Sequence, residues 1–163
     1  MNLLFNQDEL VSEWVRRRIP HMSNGFGPCV TVGVIGGPDG ADLLGAVVFH
    51  GYHAAYRSIE WSAAADTANW LSPRVITEIM RYPFEQMGCN RLQAIIARKN
   101  VRAREFHRRF GFKQEGLARR GLGKDDATLY GMLLADWRRS PFNADRTMPT
   151  TNEAAHISEA QHG

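Results

Sequence analysis

The 163 residues carry 44% apolar side chains and a formal net charge of +3, a balance that suits one domain burying a single core without metals or disulfides. No apolar run approaches the roughly 20 residues that span a bilayer, and the start MNLLFNQDEL has neither the basic flank nor the apolar stretch of a secretion signal; a cytoplasmic protein without membrane contact is expected. Cys29 and Cys89 form no CxxC pair and stand beside no zinc-spaced histidines, which predicts buried reduced thiols and no metal.

Asn6 with Glu9 three residues later reads as a capping box, and Leu10, Val11, Trp14, Val15 and Ile19 recur at helical spacing up to the stop at Pro20. Three runs rich in β-branched and aromatic residues follow: Val30 to Ile35, Leu43 to Phe49 and Arg57 to Ala65. GGPDG between the first two supplies a turn, so these pair as a hairpin. Its glycines precede no helical pattern, which excludes a dinucleotide fingerprint. His50 and His53 in FHGYH fall on opposite faces of a strand and make a poor metal pair, while Tyr52 and Tyr56 could wall an acceptor pocket.

Ser72-Pro73 starts a helix whose apolar face is Val75, Ile76, Ile79, Met80, Phe84 and Met87, with Pro83 predicting a kink and Gly88 the end. Leu92 to Ala97 reads as a short strand. Asn100 caps a helix over about 101 to 110 that Gly111 terminates, and two strands follow near Phe112 to Leu122 and Ala127 to Leu134. The division is a domain over 1–139 and a tail over 140–163 without fixed structure. The expected fold is α/β, a mixed, mostly antiparallel sheet with helices on both faces.

Charge is uneven. Residues 98–124 hold ten Lys/Arg against two acids, +8, and the rest of the chain sums to −5. A local positive field suggests an anionic ligand. Within it, Ala103, Phe106, His107 and Phe110 share one helical face, so His107 looks inward while the arginines spread around the other sides.

GCNRLQAIIARKNVRAREFHRRFGFKQEG followed by DDATLYGMLLADW resembles the second half of GNAT-superfamily acyl-CoA N-acyltransferases, closest to the branch of ribosomal-protein N-terminal acetyltransferases. The element order of residues 1 to about 137 agrees, with the motifs concentrated in 84–137. The resemblance implies acetyl-CoA as acyl donor, bound where the strands Arg57 to Ala65 and Leu92 to Ala97 splay apart, and transfer to an amine by direct attack. It implies that Ala63, Ala64 and Ala65 line the pantetheine arm and polarise the thioester carbonyl. It places the pyrophosphate on the loop Thr67 to Ser72, with Asn69, Trp70, Leu71 and Ser72 in contact, on a helix start. Arg74, Asn100 and Arg104 add charge or hydrogen bonds.

Trp70 and Ser72 stand where the family carries glycines, so either the loop takes another path, with Trp70 turned outward or stacked on the cofactor, or donor binding weakens. Glu60 is the expected general base, Asp66 a weaker one. His107 stands where many members carry a tyrosine that protonates the departing thiolate, and is the expected acid. The acceptor amine is unspecified: a protein N-terminus, a small molecule or a nucleic acid. A homodimer is compatible with the fold. The rival readings are a nucleic-acid-binding protein using the arginines of 98–120, against which Phe106 and Phe110 face inward, and a catalytically inactive CoA-binding relative.

Overall fold

The computed structural model describes residues 1–145. Seven strands form one sheet: β1 (Asn2–Leu4), β2 (Cys29–Gly36), β3 (Asp42–His53), β4 (Ser58–Ala65), β5 (Arg91–Ala97), β6 (Lys113–Leu122) and β7 (Asp125–Leu133), in the spatial order β1-β2-β3-β4-β5-β7-β6. Only β4 and β5 pair in parallel. This is the mixed, mostly antiparallel sheet expected from the sequence.

Helices cover both faces. On one, α1 (Asp8–Arg16) buries Val11 and Val15 against Ala46 and Val48. On the other lie α2 (Pro73–Arg81), α3 (Val101–Phe110) and α4 (Leu134–Arg139), joined in one core with Val47, Phe49, Ile59, Trp61, Leu92, Ala94, Ile96, Tyr130 and Met132. Burial of Val75, Ile76, Ile79 and Met80 seats α2, each worth about 1.5–3 kcal/mol relative to exposure. Alternation along β4 sends Ile59 and Trp61 to the large core and Ala64 to the small one. Glu60 and Ser62 thus share the α1 face.

The first helix starts and stops differently from the expectation. Asn6 has φ +58°, and the cap position is Gln7 with no side-chain bond, so the capping box does not form. The helix ends at Arg16, and Pro20 opens a 3-10 turn (Pro20–Met22) instead of directly stopping it. Two elements were not foreseen: β1, three residues long, and α4 (Leu134–Arg139), which takes Leu134 out of the last strand and carries Trp137.

Ser72 and Asn100 do cap α2 and α3, accepting from the Val75 and Ala103 amides. Gly111 closes α3 at φ +112°, a conformation that favours glycine. Around Pro83, whose ring removes a helical donor, Tyr82–Gln86 widens into a π-turn, with the Met87 amide reaching the Tyr82 carbonyl.

Residues 140–145, the described part of the expected tail, rest on the domain. Phe142 packs on Phe110, Thr77 Oγ1 accepts from the Ala144 amide, and Arg81 pairs with Asp145. The remainder, 146–163, lies outside the described residues. Cys89 is buried and Cys29 half-buried, both free. No helix among the described residues is long and apolar enough to cross a membrane.

Candidate active site

β4 and β5 are hydrogen-bonded through only three registers, Ser58 with Arg91, Ile59 with Leu92 and Glu60 with Gln93. Beyond that point β4 stays with β3 to Ala65 and β5 stays with β7 to Ala97. The two strands part, leaving a wedge with Glu60 at its apex. The Asp66 amide donates to Leu44 on β3. Since strand amides alternate sides, the Ala64 amide also points to β3, and those of Ala63 and Ala65 point into the wedge.

On the α1 face the strand registers line up one residue per strand: Cys29, His50, Glu60, Gln93, Gly131 and Lys113. Arg91 donates two bonds to Glu115 and one, 3.2 Å, to Gln93 Oε1. That fixes the Gln93 amide so that Nε2 donates to Glu60 Oε2 at 3.5 Å. Gly131 leaves room for this network, since a Cβ there would fall on the Glu115 carboxylate and 2.7 Å from the Arg91 guanidinium.

Burial lifts the Glu60 carboxyl above its usual range, with the Gln93 bond opposing in part. Its nearest basic group is His50 Nε2 at 3.9 Å, on a ring that burial holds neutral with a pKa of about 4. No Lys or Arg among the described residues reaches this half-buried carboxylate.

His50 Nε2 also lies 2.9 Å from Ser62 Oγ, which brings Ser, His and Glu together. The order is wrong for a nucleophile triad. In a triad the carboxylate holds the imidazole nitrogen opposite the serine, whereas Glu60 stands nearest the nitrogen that Ser62 uses. A ring titrating near 4 is also a weak base for a hydroxyl.

On the helical face, Trp61 Nε1 donates to His107 Nε2 at 3.0 Å, which leaves the proton on Nδ1 to donate to the Ala103 carbonyl at 2.7 Å. Burial depresses the His107 pKa to about 4, the Ala103 bond opposing. Both nitrogens are occupied inside the protein. This corrects the expectation of His107 as the acid for the thiolate: it is a neutral brace between α3 and β4.

Among solved structures, the chain is similar to a GCN5-related N-acetyltransferase from Brucella melitensis (24% identity, TM-score 0.56, 67% of this chain and 52% of that one). It is similar to an acetyltransferase of the GNAT family from Bacillus anthracis (20%, 0.52, 63% and 65%). A spermidine N-acetyltransferase chimera from Vibrio cholerae and hSSAT also aligns (14%, 0.61, 82% and 96%). The fold is the GNAT acetyltransferase fold. The chain spans 62% of the length of two further matching structures. No family model and no curated protein matches it.

In this GNAT fold the departing loop takes an unusual course. Trp70 is neither outward nor free to stack on a ligand: it is 5% exposed, lies flat on Gly45 and stacks on Phe106. Asn69 is exposed, Leu71 and Ser72 half-buried. At the start of α2, Pro73 has no amide, Val75 donates to Ser72 Oγ and Ile76 to the Ser72 carbonyl. The Arg74 amide alone of that turn is left for an anion.

The side chains of Arg74 and Arg102 are exposed and have no partner among the described residues. Arg104 is committed, donating to the Tyr130 hydroxyl and the Arg98 carbonyl. Asn100 caps α3 through Oδ1, which leaves its Nδ2 able to donate elsewhere. Asp66 is held bidentately by Arg18, at 2.8 and 2.7 Å, which removes it as a base.

Arg108 and Arg109 share Glu105, an acid already counted in the +8, and three more cations of the stretch, Arg98, Lys99 and Lys113, pair with Asp126, Asp125 and Asp136 beyond it, so most of the surplus stays uncompensated. His53 stacks on Tyr56 beyond a bulge after His50, with Tyr56 74% exposed, and no group of His, Cys, Asp and Glu among the described residues could hold a metal. Sequence reasoning missed His50, Ser62 and Gln93 as neighbours of Glu60. A regular hairpin with its turn at 54–57 pairs His53 with Ser58 and would put His50 opposite Trp61; the irregularity between His50 and His53 shifts the register so that His50 meets Glu60, and no local pattern discloses it.

Proposed function

We propose that this chain is an N-acetyltransferase that moves the acetyl group of acetyl-CoA to a primary amine by direct attack within a ternary complex. One observation carries the reading: Glu60, a half-buried carboxylate with no Lys or Arg partner among the described residues, stands at the apex of two parting parallel strands. An ammonium is the partner that such a site lacks. Glu60 binds it and takes a proton, freeing the lone pair for attack. The Ala63 and Ala65 amides are placed to receive the developing oxyanion. The C–N bond forms, the C–S bond breaks, and the leaving thiolate takes a proton that came from the attacking nitrogen, since His107 has none to give.

Donor binding in this reading relies on side chains more than usual. Arg74 and Arg102 hold phosphate charge where the opening turn of α2 offers one amide, and Trp70 forms a wall of the wedge. The family resemblance in 84–137 favours a protein N-terminus as acceptor, and the spermidine enzyme among the structural matches makes a polyamine the alternative. Cytoplasmic residence and a homodimer belong to the same proposal.

The test is calorimetric titration with acetyl-CoA, CoA and dephospho-CoA, then thiol release with spermidine and with a peptide bearing a free N-terminus. Binding no tighter than about millimolar, near −4 kcal/mol, refutes the reading. Tight binding without transfer to any amine would favour a CoA-binding protein without catalysis, a reading to which the buried Trp70 lends weight.

A further inference from the structure

Making an amide from a protonated amine removes two protons from nitrogen, one from the ammonium and one from the tetrahedral adduct. The thiolate takes up one. The other rests on Glu60 and must leave the site before the next ammonium can be deprotonated, so the carboxylate needs a route by which to hand it on. We propose that His50 is the second proton carrier of the acceptor site, taking the proton from Glu60 at Nε2 and releasing one from Nδ1 to water. The proposal rests on Glu60 being the base.

The geometry suits that role. His50 and Glu60 are cross-strand partners on the same face, with Nε2 3.9 Å from Oε1; a shift of about 1 Å makes a hydrogen bond. Ser62 Oγ at 2.9 Å anchors the imidazole, and its rotatable hydroxyl can donate to Nε2 and so keep the ring proton on Nδ1. Phe26 packs on the ring at 5.1 Å between centroids and His50 is 7% exposed, so bulk water does not flood the pair.

The other titratable groups facing it are Cys29 beside it on β2, His21 of the Pro20–Met22 turn, and Asp8 at the start of α1, whose carboxylate accepts from the Thr31 amide and hydroxyl. His21 is exposed and close enough to oppose protonation of His50, so a proton does not come to rest there. Burial lowers His50 and raises Glu60, which removes the imidazole's ordinary advantage over a carboxylate, so His50 passes the proton on instead of holding it.

The experiment has two arms. In the first, thiol release from acetyl-CoA is followed with spermidine or a hexapeptide with a free N-terminus. His50→Ala should lower kcat about 10- to 100-fold with the KM for acetyl-CoA unchanged, and added imidazoles should restore it in order of their basicity. His50→Gln, which retains a hydrogen-bonding partner for Ser62, should remain slow and fold normally by circular dichroism. A wild-type rate in His50→Gln, or no rescue of His50→Ala, overturns the proposal.

The second arm needs no turnover: in the imidazole NMR titration, Glu60→Gln should move the His50 midpoint downward by about half a pH unit or more. An unchanged midpoint overturns the proposal whether or not the chain is active. Absence of thiol release by the unaltered chain with either amine instead falls on the acetyltransferase reading.

Discussion

Gly45→Ala tests the feature that most separates this wedge from an open one. Gly45 pairs with Ala65, and a Cβ there would fall on Cε3 of the Trp70 indole and 2.9 Å from its Cγ. The indole cannot retreat, because Phe106 lies on its other side at 6.4 Å between centroids. Forced overpacking costs about 1–3 kcal/mol, and at roughly 2–4 °C per kcal/mol for a chain of this size Tm should fall by roughly 2–12 °C. Trp70→Ala alone should cost about 3–5 kcal/mol. In the double variant the new methyl enters space the indole has left, so the two losses should sum to about 1–3 kcal/mol less than the separate values. Urea unfolding followed by far-UV circular dichroism gives all four stabilities without relying on tryptophan emission. Additivity within about 0.5 kcal/mol would refute the placement of Trp70 on Gly45.

Glu60→Gln should lower kcat by about 10²- to 10⁴-fold while leaving acetyl-CoA affinity intact, read by thiol release and calorimetry. Since Glu60 works ionised and titrates above the usual carboxylate range, wild-type turnover should rise with pH through that raised value, and the variant should lose this acid limb. His107 titrates near 4 when folded and near 6.5 when unfolded, so the unfolded chain takes the proton first. Its contribution is full above pH 6.5, falls by about 3 kcal/mol on acidification to about 4, and His107→Phe should shallow that slope in urea titrations. Ser72→Ala, by removing the cap on the Val75 amide, should cost about 1 kcal/mol in thermal unfolding.

The longer strands and the two polar helix caps were legible because each depends on a local cause, β-branched runs, Ser72-Pro73, Asn100 and Gly111, whereas the parting pair was implied only by the family resemblance. The start of α1 was not. Asp8 spends its carboxylate on Thr31, 23 residues away, a tertiary choice that no local pattern contains. The same holds for the site. Glu60 could be singled out from its strand, but His50 joined it only through register, and Gln93 only through a parallel pairing across a crossover helix. His107 was rightly placed inward, yet its task depended on Trp61, 46 residues distant, filling its second nitrogen. Trp70 was the clearest signal of departure in the sequence; its direction was decided by the bare backbone of Gly45.

The line from Cys29 to Lys113 runs at right angles to the chain and gathers one residue from each of six strands, out of sequence positions 29 to 131. No contiguous fragment holds it. The proposed acceptor site therefore needs the whole sheet: β7, last of the strands in the chain, carries the Gly131 over which Arg91 and Glu115 meet, and through Gln93 that meeting orients Glu60. Amide exchange at Glu60 should accordingly follow whole-sheet opening, making the slowest-exchanging part of the molecule and its reactive centre one and the same.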